Sequence, residues 1–378
     1  MTRNSISDSP KIIGGEFAIA PDVLKGALDA CGRLDKTPFS KAAAASLDDL
    51  YDNVMFFSSA RAALYAALCV EKTEAKLHVY LPDYLCSSVI DAVNDAGLSY
   101  SFYHIEDDLY PDMDSLFDSI YVKKESAKNA VILINYFGLL DLEKTIKEIR
   151  KKAPTNLIML DDVQNYYGFG TEPDYDYAFT SLRKWFPIPD GGLLKIADSM
   201  MQSGTGTRIR NIYDSMKDNN LFVSYKLSGN VLKSYRGVID DSICLELIEK
   251  GEELLDKNYK CPISDISYEF FYSYIFKEQE RASNKRKDNA RILHEGLEKL
   301  SIKHIYNDSK VPLFIPVFLD SNKRDVIRKK MFDNNIFCPV HWKNSNLLPN
   351  NLYDMELSLI CDQRYDQEDM TKILKILS

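Results

Sequence analysis

Between Val54 and Ile196 short apolar runs alternate with helix-patterned stretches, and this alternation constrains the fold more than any other feature. Val54-Met55-Phe56-Phe57 leads into A-R-A-A-L-Y-A-A-L-C-V, rich in alanine and leucine at helical spacing. His78–Leu81 reads as a strand, and Ser87–Ala96 repeats apolar residues with helical period up to Gly97. Leu98–Ile105 alternates like a strand, and Asp112–Tyr121 is helical. Ala130–Asn135 is a near-continuous apolar run, as expected for a strand covered on both faces. Leu142–Lys152 is an amphipathic helix, Leu157–Leu160 another buried strand, and Leu193–Ile196 a further one. The expected fold is α/β: a mostly parallel central sheet with helices on both faces.

Residues 1–50 read as an N-terminal arm, with an edge strand in Lys11–Ile19 and a short helix at Pro21–Cys31. Residues 51–270 form the large domain. Within it, 200–265 is polar, tyrosine-containing and helical in pieces. Tyr268–Leu300 reads as one long helix or two broken ones, its charged middle a solvated face. Residues 271–378 alternate again, as a smaller C-terminal α/β domain. Its strands are Val311–Leu319, Ile336–Val340 and Glu356–Ile360, and its helices Arg324–Asn334 and Gln367–Leu377. A chain of 378 residues buries enough surface for two such units.

Ligands in parallel sheets bind beyond the carboxyl ends of the strands. Ser58, Tyr84, Asn135 and Asp161 all follow strand ends and converge on one crevice. Asp161 ends an apolar strand, where an unpaired carboxylate is costly. Asp162 faces the opposite side and reads as a capping or surface group. Lys184 lies in an apolar, turn-rich run, F-T-S-L-R-K-W-F-P-I-P-D-G-G. Desolvation and Arg183 are both expected to favour its neutral amine. A buried acid and a later lysine point to pyridoxal 5'-phosphate, the lysine holding the aldehyde and the acid the ring nitrogen. The cofactor's phosphate needs amides at a helix start, and Ser59-Ala60-Arg61 offers one. Tyr84 offers a ring to stack, Gln164 a partner for the ring oxygen, and Ser181, with Thr180, a hydroxyl for the phosphate. His341 and Lys343, after a small-domain strand, are placed to close over a substrate. Each has a plainer reading: Ser58-Ser59 as an N-cap, Tyr84 packed under a loop, Lys184 snorkelling outward, and His341-Trp342 as a packed corner.

The order of these parts resembles the fold-type I pyridoxal phosphate enzymes, and more narrowly the DegT-type sugar aminotransferases. The matching stretches are Ser58–Arg61, Pro82–Cys86, Leu160–Gln164, and Ser181–Lys184 with Gly191-Gly192. The resemblance spans about residues 12–378 and is poor over 200–265. It implies a homodimer with a shared active site, an amino donor such as glutamate, and a keto-sugar nucleotide acceptor in surface polysaccharide or amino-sugar biosynthesis. Lys184 and Asp161 would be catalytic. Ser-Ala-Arg stands where the family has Gly-Thr, and Phe179 where it has a serine five residues before the lysine.

Other chemistry on the same core stays open: a dehydratase, lyase or decarboxylase, or a non-catalytic regulatory or assembly protein. Dehydratases of this type usually carry histidine at the lysine position. A net charge of −9 argues against generic nucleic-acid binding. No window approaches the ~18 apolar residues of a membrane span, and the N-terminus lacks a signal-peptide core. Seven scattered cysteines without a C-x-x-C pair read as reduced thiols in a cytoplasmic protein. The five histidines have no metal-like spacing, so no metal is expected.

Overall fold

The computed structural model describes residues 11–31, 53–72, 76–122, 128–162, 174–217, 220–271, 275–342 and 350–378. Its centre is a seven-stranded sheet. The strands are β2 (Val54–Phe57), β3 (Leu77–Pro82), β4 (Ser99–Tyr103), β5 (Lys128–Ile134), β6 (Leu157–Asp161), β7 (Tyr177–Ser181) and β8 (Gly192–Ile196). Their spatial order is β2-β8-β7-β6-β5-β3-β4. All run parallel except β8, which is antiparallel to both neighbours. Central strands are apolar throughout because both faces are covered: Val131, Ile132, Leu133 and Ile158, Met159, Leu160 are all buried. The expected α/β class is therefore observed.

Helix α2 (Ala60–Lys72) packs on one face through Ala62, Ala63, Ala66 and Ala67, small residues that let it approach closely. Helices α3 (Ser87–Asp95), α4 (Met113–Val122) and α5 (Glu143–Lys152) follow β3, β4 and β5 and connect parallel strands. The stretch 200–265 is helical: α6 (Asp198–Gln202), α7 (Thr205–Ser215), α8 (Asn220–Leu232) and α9 (Asp241–Lys257). Helices α8 and α9 pack against each other where Gly229 faces Cys244 and Ile248, and Gly251 faces Lys226.

Over Tyr268–Leu300 the described helices are α10 (Asp265–Phe270) and α11 (Phe276–Lys299). Beyond them, β9 (Phe314–Phe318) and β11 (Glu356–Ile360) form an antiparallel pair. They share a second core with α11, α12 (Ser321–Asp333) and α13 (Gln367–Leu377), built on Leu293, Val317, Leu359 and Ile373. The strand expected at Ile336–Val340 is only β10 (Ile336–Phe337). Its parallel partner is β1 (Ile13–Gly14), so the N-terminal segment joins an edge contributed by residue 336. Tyr365 secures that junction, its hydroxyl accepting from the Gly14 amide at 2.7 Å. Helix α1 (Pro21–Cys31) follows.

Candidate active site

The pleat fixes which strand-end side chains share a face. The Tyr177 hydroxyl bonds Glu71 of α2, so Tyr177, Phe179 and Ser181 point to the α2 side. Asp161 is the register partner of Phe179, and Ser181 and Phe57 are both partners of Gly192. Asp161, Ser181 and the start of α2 therefore share one face at the carboxyl edge of the sheet. Gly191 donates its amide to the Ser58 carbonyl at 2.8 Å. A Cβ on Gly192 would stand 2.2 Å from the Ser59 carbonyl carbon. Only glycine lets β8 approach the turn that starts α2 this closely.

At that turn the side chains are committed elsewhere. Ser59 is an N-cap, its hydroxyl accepting from the Ala62 amide at 3.2 Å. The Arg61 guanidinium pairs with Asp256 and Asp91 and lies 4.6 Å over the Tyr259 ring. The backbone amides of that first turn, those of Ala60 and Arg61, have no intrahelical acceptor, as at any helix start. Those amides, the Ser181 hydroxyl and the buried Asp161 carboxylate on the same face are groups of the kind that the phosphate and ring nitrogen of pyridoxal phosphate require.

Asp162 corrects the sequence expectation. It does face away from Asp161, but it is fully buried and not a surface group. Asn135 donates to its Oδ1 at 3.0 Å, and its own amide donates to Phe179 at 2.9 Å. Burial follows from the covering helices on that face. Asn135 in turn accepts from the Leu140 amide, which ties the loop after β5 to the end of β6.

Tyr84 is buried, which holds its hydroxyl well above the usual tyrosine range. It donates to the His341 carbonyl at 2.5 Å. Its ring stacks on Tyr136 at 5.4 Å and meets Trp342 at 5.1 Å. Sequence reasoning passed over Tyr136, because an aromatic beyond a strand end has no distinguishing local pattern.

Lys184 ends a short 3-10 turn, Leu182–Lys184, that buries Leu182 and turns the lysine outward. The expected desolvation is absent: Lys184 is exposed, and among the described residues it has no ion-pair or hydrogen-bond partner. Both flanks are fixed. Trp185 is fully buried beneath the Arg286 guanidinium, 4.6 Å from its ring, and its carbonyl accepts from Gln363. Arg183 turns to Glu252, which also pairs with the buried Lys226. Burial pushes the Glu252 carboxyl up, but Arg183 and Lys226 outweigh it and hold it at about 2. Burial, reinforced by Arg183, lowers the Lys226 ammonium. The turn after Lys184 is locked by buried Asp190, which accepts from the Ser264 amide at 2.9 Å and from the Ser264 and Ser267 hydroxyls.

Lys184 opens on a cleft of ≈ 1070 Å³ between the central sheet unit, the N-terminal arm and the C-terminal unit. His341 lines the same cleft, whereas Asp161, Tyr84 and Ser59–Arg61 do not. The structure thus gathers the expected residues in two groups, one on the α2 face and one in the cleft. His341 is backed by buried Glu356, which accepts its amide at 2.6 Å, and by Ser358, 2.9 Å from Nδ1. Eight lysine and arginine residues line the cleft against five aspartate and glutamate residues, in a chain of net charge −9. Gln164 and Lys343 lie outside the described residues.

No known family's model matches this sequence, and no curated protein does. Solved structures do match along nearly its whole length. A putative sugar aminotransferase, Spr1654 from Streptococcus pneumoniae in its PLP form, is 14% identical with a TM-score of 0.72 over 97% of each chain. A putative PLP-dependent aminotransferase from Bacillus cereus is 16% identical, TM-score 0.69, over 97% of this chain and 100% of that one. DesI, solved in the presence of its TDP-sugar product, is 13% identical, TM-score 0.68, over 98% and 93%. The chain has the fold of these aminotransferases.

Proposed function

We propose that this chain is a pyridoxal phosphate-dependent aminotransferase of the DegT type, moving an amino group from a donor such as glutamate to a keto sugar carried on a nucleotide. The observation that carries the reading is Lys184: an amine on anchored flanks, from the β7–β8 connection, projecting into a large cleft. The PMP form in which Spr1654 was also solved, and the TDP-sugar product in DesI, favour transfer to a sugar. The basic excess around the cleft suits an acceptor bearing phosphates. An amino-sugar or surface polysaccharide pathway, a cytoplasmic location and a homodimer with a shared site belong to the same proposal.

When bound, the cofactor supplies an electron-accepting ring conjugated to the amino carbon. Lys184 would hold its aldehyde and, once released by the donor, move the proton at the substrate's alpha carbon. Asp161 would keep the ring nitrogen protonated. The Ala60 and Arg61 amides and Ser181 would hold the phosphate, and Tyr84 would flank the ring. His341 would close the cleft over the acceptor.

The test is optical. Purified protein supplied with pyridoxal phosphate should turn yellow, and glutamate should bleach it. Lys184→Ala should abolish the colour without unfolding the chain. A protein that takes up no cofactor, or colour that survives in Lys184→Ala, would sink the reading. Keto-sugar nucleotides tried against simple keto acids then identify the acceptor.

A further inference from the structure

We propose a second site, remote from the cleft: a zinc-class divalent cation site formed by His294, Glu298 and His304. His294 and Glu298 are four residues apart near the end of α11, hence on one face, one turn apart. The helix then stops and reverses. Ser301 takes a left-handed φ of 52°, and the Ile302 amide returns to the Leu297 carbonyl at 3.1 Å. Buried Ile302 anchors that reversal in the second core. His304 follows, bridged to Val317 of β9, and comes back beneath the last turn of the helix. Sequence spacing gives no sign of this, because the histidines are ten residues apart and only the reversal joins them.

The ligand atoms already converge. One nitrogen or oxygen from each residue lies within 4.8 Å of the other two. His304 Nε2 is 2.8 Å from His294 Nδ1 and 3.7 Å from Glu298 Oε1. The second observation is the tautomer. His304 Nδ1 stands 2.8 Å from the Ile302 carbonyl, which can only accept, so Nδ1 carries the proton, and the Nε2 lone pair accepts from His294 Nδ1 at 2.8 Å until an ion takes its place and the His294 proton moves to its other ring nitrogen. A backbone carbonyl orienting the far nitrogen is how metal-binding histidines are held. The His304 side chain is only 4% exposed. The His294 ring is pinned by Tyr306, stacked at 4.3 Å and 16°.

Two imidazoles and a carboxylate suit zinc and its neighbours, with water completing the tetrahedron, and do not suit magnesium or calcium. Ligand atoms around zinc stand about 3.3 Å apart for bonds of ordinary length. The two rings must therefore part slightly, and the exposed Glu298 must swing in. None of the three residues lines the cleft. The ion would clamp the end of α11 to the approach of β9.

The experiment uses the full chain, stripped of metal, titrated with zinc by calorimetry and followed by thermal melting. Expected are one zinc per chain and a melting temperature raised by about 2–4 °C at ~100-fold excess over Kd. His304→Ala should weaken binding at least about 100-fold, and Glu298→Gln about 10-fold. His294→Phe keeps the stack on Tyr306, so it should stay folded yet lose the site. His104→Ala, elsewhere on the surface, should bind as before. No stoichiometric binding, or full binding and stabilisation in both His304→Ala and His294→Phe, would overturn the proposal.

Discussion

Two adjacent carboxylates end β6, and the pleat sends them to opposite faces. Asp161 shares its face with Ser181 and the α2 turn, while Asp162 is buried against Asn135. Asp161→Asn should leave pyridoxal phosphate uptake intact and slow alpha-proton removal on the order of 100-fold or more, read in single turnovers with glutamate. Asp162→Asn should cost stability but leave that rate near wild type. The reverse pattern would move the ring-nitrogen role by one residue. The pair and its alternation were legible in the sequence, because strand period is local. The burial of Asp162 was not, since it depends on covering elements. Arg61 was unreadable for a similar reason: its partner Asp256 is 195 residues away.

Short helices and strands meet here at glycines. Gly192 brings β8 against the Ser59–Ala60 peptide, where a Cβ would fall 2.2 Å and 2.4 Å from backbone atoms that cannot yield. Gly192→Ala should therefore destabilise by about 3 kcal/mol in denaturant unfolding and loosen pyridoxal phosphate, because the helix start it displaces is the proposed phosphate cradle. An alanine that neither lowers the unfolding midpoint nor weakens the cofactor would refute that coupling. In the sequence Gly191-Gly192 marks a turn entering a strand; the close approach appears only once β2 and β8 are paired. Strands and helices up to Ile196 followed their periods. The stretch 200–265 resisted because α8 and α9 pack on each other as well as on the sheet, which blurs a single apolar stripe.

Across the whole molecule, charge joins distant parts, and pH reports it. Glu252 ties the Lys184 loop to α8 and α9, with its carboxyl depressed from the ordinary 4.5 to about 2. A depressed folded value means stability present above about 4.5 and lost as pH falls towards 2. Glu252→Gln should unfold more easily than wild type at neutral pH, and the gap should narrow through that acidic range. His104 has the opposite sign. Donating to the Asp83 carboxylate raises its imidazole above 6.5, against partial burial, so its contribution is complete below 6.5 and fades as pH rises through the raised value. A His104→Ala variant should close on wild type in stability as the pH climbs through that window. By itself the sequence determined the α/β alternation, the strand ends where a site can form, and Lys184 and Asp161 as its candidates. Those follow from period and adjacency, which are properties of neighbouring residues. Only the tertiary structure decided which face each strand end serves, that β1 completes an edge with β10, that Lys184 opens on a cationic cleft, and that His294 meets His304. Those depend on chain reversals and on contacts across hundreds of residues, for which no local pattern exists.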